Sequence, residues 1–209
     1  MQGYVRASAL LAWLAVSCEW YAVAGDYRAA GQGLLAALVH YAGFFTVLTN
    51  VFCALVLTVY LMPGSTGVLP RWLRQPAVIT SAQVSIAGVM AVYHLMLRQL
   101  WNPVGVHALA TFLLHYAVPL AYSVFWWRVV PRGVLGWRDL AVIAIYPAAY
   151  GLYVFLRGEM IARYPYPFFD ITRLGYPAVA INAAAIFAAL MVLSVLLILL
   201  KRQRAHIPS

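Results

Sequence analysis

Charge is what this chain has least of. Only 9% of its 209 residues are Asp, Glu, Lys or Arg, and the acidic ones number five. A soluble domain carries about a quarter charged residues, so that class is excluded. Cysteine is scarce too: Cys18 and Cys53 both fall in apolar stretches, which makes a structural disulfide unexpected and leaves the redox compartment unread. No internal repeat, low-complexity tract or second domain stands out. Acidic and thiol ligands are too sparse to suggest a metal centre.

What is present is apolar residue, 65% of the chain. A membrane-spanning helix needs about 20 mostly apolar residues. Six windows qualify, at about 6–24, 36–62, 77–97, 105–127, 138–157 and 176–200. Their runs are too long and continuous for the alternating strands of a barrel. The expectation is an all-α polytopic membrane protein: one six-helix transmembrane bundle occupying 1–209. Residues Ala22-Val23-Ala24 resemble a signal-peptidase site, but Glu19, Trp20 and Tyr21 make a poor approach to it. The first helix is expected to stay uncleaved.

The net charge of +9 invites a nucleic-acid reading, which its placement opposes. With the N-terminus cytoplasmic, nine basic residues fall inside: Arg6, Arg71, Arg74, Arg128, Arg132, Arg138, Lys201, Arg202 and Arg204. Five fall outside, namely Arg28, Arg98, Arg157, Arg163 and Arg173. The positive-inside rule then favours both termini in the cytoplasm, with the basic residues touching anionic lipid and no nucleic acid. The bacterial inner membrane is the expected location.

Connections are short. Met62-Pro63-Gly64 breaks the second helix, and Asn102-Pro103 turns the third into the fourth. The longer link between helices 5 and 6 runs from Arg157 to Tyr176 and is rich in Tyr, Phe, Pro and Arg. It reads as an aromatic belt at the outer interface, as a lid over a cavity mouth, or as both.

Polar residues inside the spans carry the functional signal. Thr46 and His115 each lie about ten residues, or ~15 Å, from the outer ends of helices expected to run the same way. They share one depth and make a candidate nucleophile and base. Thr46, Thr49 and Asn50 stand at i, i+3 and i+4, lining one helix face. Threonine needs an adjacent base to attack, and neutral histidine can take the proton and return it to a leaving group. Asn50, Thr49 or a backbone N–H could support an oxyanion. No acid lies at this depth, so an asparagine, a tyrosine such as Tyr150, or a carbonyl has to orient the ring.

The blander readings are that Thr46 bonds its own i−4 carbonyl and that His115 satisfies a carbonyl freed by Pro119. Paired-histidine haem ligation among His40, His94, His107 and His115 lacks two well-spaced buried histidines on one helix. A transporter would show buried charge pairs or half-helices with repeat symmetry. No cofactor or metal is expected.

At these residues the chain resembles a known family. Tyr41–Asn50 with its Phe-Thr-Val-Leu-Thr-Asn core, His115 followed by Pro119, and Tyr164-Pro165-Tyr166-Pro167-Phe168-Phe169-Asp170 with Leu174-Gly175-Tyr176-Pro177 carry the likeness. They look like the bacterial predicted six-transmembrane proteins. Those are related to the androgen-induced and androgen-dependent TFPI-regulating membrane proteins of animals. The animal members are threonine hydrolases of fatty acid esters of hydroxy fatty acids, so the resemblance implies Thr46 as nucleophile and His115 as base. Thr49 stands where animal members tend to carry an acid, which makes it a rival nucleophile. The His-to-Pro spacing is one shorter than in the animal pattern. The resulting expectation is a lipid-ester hydrolase whose substrate carries a free carboxylate, held by Arg98, Arg157, Arg163 or Arg173, with Tyr150 as a further substrate contact. The alternative is a non-catalytic lipid or small-molecule binder or transporter using the same cavity.

Overall fold

The computed structural model describes residues 1–62 and 64–202; Pro63 and Arg204 lie outside the described residues. The described chain is helical, with no strand. Its elements are α1 (Gln2–Ala29), α2 (Leu34–Tyr41), α3 (Phe45–Tyr60), α4 (Val68–Leu73), α5 (Pro76–Val92), α6 (Gly105–Phe112), α7 (Val118–Val129), α8 (Asp139–Ile161) and α9 (Ile171–Arg202). A π-helical turn at Tyr93–Leu97 extends α5, and a second at Leu113–Ala117 joins α6 to α7. Five of the resulting helices are long and apolar enough to cross a membrane, and α2 with α3 makes a sixth crossing if the bent pair is one span. These helices mark an integral membrane protein.

The sequence windows match five elements closely and miss the shape of one. The 36–62 window reads as one continuous helix, yet the chain breaks at Ala42-Gly43-Phe44 and bends by 82°. Gly43 fits there because a Cβ would meet the Arg157 guanidinium carbon at 2.9 Å and the His40 carbonyl at 3.0 Å. The sixth window starts late. A first turn forms at Ile171, where the Asp170 carboxylate accepts from the Thr172 N–H at 3.0 Å. Gly175, at φ 75°, then kinks the chain into the long apolar run. Only a short helix, α4, interrupts the loop after α3.

α5 is the most enclosed span and packs on α3, α7, α8 and α9. Three of its buried polar side chains, Thr80, Ser81 and Gln83, bond across to neighbouring helices. Ser81 donates to the Ile143 carbonyl at 2.9 Å, Gln83 to the Ser123 hydroxyl at 2.9 Å, and Trp126 to the Thr80 hydroxyl at 2.9 Å. At the far end, the buried Lys201 ammonium donates to the Trp127 and Val130 carbonyls, both at 2.7 Å. The Trp126 and Trp127 rings lie under that charge, which pins the end of α9 to the end of α7.

The link between α8 and α9 folds back over the bundle because Gly158 leaves room for it. A Cβ at Gly158 would lie 2.0 Å from the Tyr164 ring, whereas one at Gly25 would meet nothing within 4 Å. Gly158→Ala is therefore expected to push Tyr164 off α8 and destabilise the protein by about 1–3 kcal/mol, the usual cost of overpacking. Gly25→Ala serves as the neutral control. Thermal unfolding in detergent reads the difference, and equal unfolding temperatures would refute this role for Gly158.

Candidate active site

The break between α2 and α3 leaves carbonyls at the end of α2 that no helical N–H reaches, and lipid offers no replacement donor. Three side chains one turn apart on α8 supply it. Tyr150 donates to the Gly43 carbonyl at 2.9 Å, Tyr153 to Ala42 at 3.1 Å, and Arg157 to Val39 at 2.9 Å. Arg157 also donates to the Arg163 carbonyl at 3.0 Å, tying in the following loop. These bonds hold the break open, and they set where α3 begins.

Thr46 consequently stands in the first turn of α3 instead of mid-helix. Its hydroxyl lies 3.5 Å from His115 Nε2. That separation is long for a hydrogen bond, as is common for catalytic pairs before substrate binds. The other ring nitrogen of His115, Nδ1, lies 2.9 Å from the Thr111 carbonyl one turn back. A carbonyl can only accept, so Nδ1 carries the proton and the neutral ring presents a lone pair at Nε2 to Thr46. The missing acid of the sequence reading is thus replaced by a backbone oxygen. Tyr93, in the facing π turn, stacks on the imidazole with centroids 3.9 Å apart. His115 is held on both its edge and its face.

The residues around this pair divide as follows. Asn50 uses its amide on the Thr46 carbonyl at 2.8 Å and the Leu114 carbonyl at 3.3 Å, tying α3 to the His115 turn. Its donors are therefore engaged, and it acts as a clasp more than as an oxyanion donor. Thr49 points to the Tyr146 hydroxyl at 3.0 Å, and no imidazole stands within hydrogen-bonding distance of its hydroxyl among the described residues. Tyr150 and Arg157 are likewise occupied at the break, and Tyr150 also lines the cavity described next. Arg98 is exposed and reaches His94 at 3.5 Å. Arg163 and Arg173 are exposed on the loop side. No arginine of the four lines the cavity described next.

That cavity, of about 370 Å³, lies between α5, α8, α9 and the connecting loop. Its volume is in the range of small-molecule pockets, about 300–1,000 Å³. Its walls are apolar, built from Val89, Val92, Phe155, Phe168, Ile186 and similar side chains, and Thr46 sits at its polar end. Tyr166 closes that end. The Thr46 N–H donates to its hydroxyl at 3.3 Å, and the two hydroxyl oxygens are 3.4 Å apart. With that acceptor position filled, Tyr166 has its own proton to give toward Thr46 or an oxygen bound beside it. Burial raises the Tyr166 phenol above the usual tyrosine range, which keeps that proton in place.

Tyr166 was not among the residues singled out from sequence. A signal existed: it is flanked by Pro165 and Pro167, which restrict the backbone on both sides and fix where its ring can go. Its ring stacks on Phe168 at 5.1 Å and meets Phe44 edge-on at 5.8 Å. The loop thus covers the polar end of the cavity, a placement compatible with the lid reading and with the aromatic belt alike.

Arg157→Met keeps the apolar stem and removes the donors to Val39 and Arg163. Stability is expected to fall by about 0.5–1.5 kcal/mol for each hydrogen bond lost. Arg98→Met, at an exposed site, is expected to change it little. A matched thermal shift for the two variants would argue against the bracing role. Comparison with protein-family models, with curated proteins and with solved structures finds no match for this chain.

Proposed function

We propose that this protein is an intramembrane threonine hydrolase of lipid esters, including fatty acid esters of hydroxy fatty acids. The observation that carries the reading is the Thr46 hydroxyl at 3.5 Å from a histidine nitrogen whose partner nitrogen is locked on a carbonyl, at the polar end of an apolar cavity. In this reading the bent α2–α3 pair is one broken span, giving six in all. Both termini are cytoplasmic, the site lies in the outer half of the bilayer, and the membrane is the bacterial inner one. The resemblance to the six-transmembrane family and the placement of basic residues support these assignments.

The chemistry runs in two halves. Thr46 Oγ1 attacks the ester carbonyl while His115 Nε2 takes the hydroxyl proton. The tetrahedral oxyanion accepts from the Tyr166 hydroxyl, close to the positive end of α3. The bond to the alcohol breaks, and the departing oxygen takes the proton from Nε2. Water then adds to the acyl-threonine, giving its proton to His115, which returns it to Thr46 as the free acid leaves. Thr111 keeps the imidazole in the tautomer that both halves require.

Labelling of detergent-purified protein with a fluorophosphonate probe tests this. Labelling is expected in the wild type and Thr49→Ala, and is expected to be lost in Thr46→Ala and His115→Ala. Tyr166→Phe is expected to slow labelling about a hundredfold, the cost of one oxyanion donor. Loss with Thr49→Ala alone would move the nucleophile one turn along α3. A folded wild type that takes no label yet binds lipid saturably would favour the non-catalytic binder.

A further inference from the structure

We infer that the cavity between α5, α8 and α9 is an acyl-chain subsite entered sideways from the bilayer, with the alcohol part of the substrate left outside it on the His115 side. The inference rests on the hydrolase reading and assigns the two halves of the ester to different places. Thr46 is the residue common to the cavity and the nucleophile–base pair, whereas His115 touches Thr46 but lines no part of the cavity. The imidazole must reach the oxygen that leaves, so the alcohol lies toward His115. The acyl tail is then the part with the cavity before it.

The walls suit a hydrocarbon tail and nothing more polar. Beyond Thr46 and the tyrosines at its head, every lining residue is apolar. Space is created by small residues: Ala148 and Gly151 on α8 face Ala183 and Ala184 on α9 across the gap. At Gly151 an added Cβ would meet no heavy atom within 4 Å, so α8 presents bare backbone to open volume. The volume of about 370 Å³ falls within the range of pockets that take small organic ligands, which leaves room for an acyl tail.

The entrance follows from exposure. Ala148 and Leu152 of α8, and Ala184 and Phe187 of α9, line the cavity and are exposed on the outer surface of the bundle. They fall near the middles of their helices, well away from the ends. An opening rimmed by apolar side chains at mid-span faces lipid tails. An acyl chain already in the bilayer can therefore slide between α8 and α9 without crossing water, its carbonyl arriving at Thr46 beneath Tyr166.

Gly151→Phe projects a ring into this volume from a position with room for it, and Gly151→Leu is a milder block. The protein in lipid nanodiscs is given a fatty acid carrying a diazirine on its tail, then photolysed. Saturable cross-links are expected at residues 147–155 and 183–190. They should persist in Thr46→Ala, fall in Gly151→Leu and fall further in Gly151→Phe. Cross-links elsewhere, or unchanged by both Gly151 variants, would overturn the subsite. In parallel, p-nitrophenyl esters of graded acyl length are hydrolysed by wild type and variants. The ratio of long-chain to short-chain turnover is expected to drop about tenfold in Gly151→Phe, the scale on which apolar pockets discriminate length; an unchanged ratio would also overturn it. Absence of fluorophosphonate labelling and ester turnover in the wild type would remove the hydrolase reading alone, because the cross-links judge the subsite without chemistry.

Discussion

The structure depends on the break between two apolar helices, α2 and α3, which meet at an 82° bend. An interrupted ladder in hydrocarbon strands carbonyls at several kcal/mol apiece unless protein replaces the donors. Here α8 does so, with Tyr150, Tyr153 and Arg157 spaced to meet Gly43, Ala42 and Val39 in order. Everything at the site follows from that brace. It lets α3 start at Phe45, which puts Thr46 in a first turn where its N–H is free for Tyr166 rather than for the helix's own ladder. A continuous helix would have used that N–H internally and left no socket for Tyr166.

A second irregularity complements the first. His115 and Tyr93 both sit in π turns of neighbouring helices, a distortion often found where function requires it. The wider turn at Leu113–Ala117 carries the imidazole whose Nδ1 reaches back to Thr111 and whose face receives Tyr93. Asn50 clasps this turn to α3 through Leu114 and Thr46. Thr46 and His115 therefore share one hydrogen-bonded frame, and neither depends on an ionised partner. This matters in a low-dielectric setting, where a carboxylate orienting the ring would be costly to keep charged.

The aromatic loop and the apolar cavity complete the separation of polar from apolar groups. Polar groups are gathered at one end, around Thr46, His115 and Tyr166, while hydrocarbon-like walls run from there toward the gap between α8 and α9. Glycine serves close approach at Gly43 and Gly158 and open volume at Gly151. Of the arginines that the sequence offered as carboxylate holders, Arg157 braces the break, and Arg98, Arg163 and Arg173 are exposed and line no part of the apolar cavity.

The sequence by itself determined that the chain is helical and membrane-embedded, because long apolar runs with few charges have no other stable arrangement. It also brought forward Thr46 and His115, since polar groups at matching depth in such runs need a partner, and the two side chains do meet. It marked the Tyr-Pro-Tyr-Pro-Phe segment without choosing between belt and lid. What it could not contain were relations between distant helices. The bend at Gly43 depends on donors more than a hundred positions away, and local propensity across 36–62 favours an unbroken helix. The roles of Asn50, Tyr150 and Arg157 were decided by which carbonyls lay within reach. Only the tertiary structure, by bringing those acceptors to those donors, could make that choice.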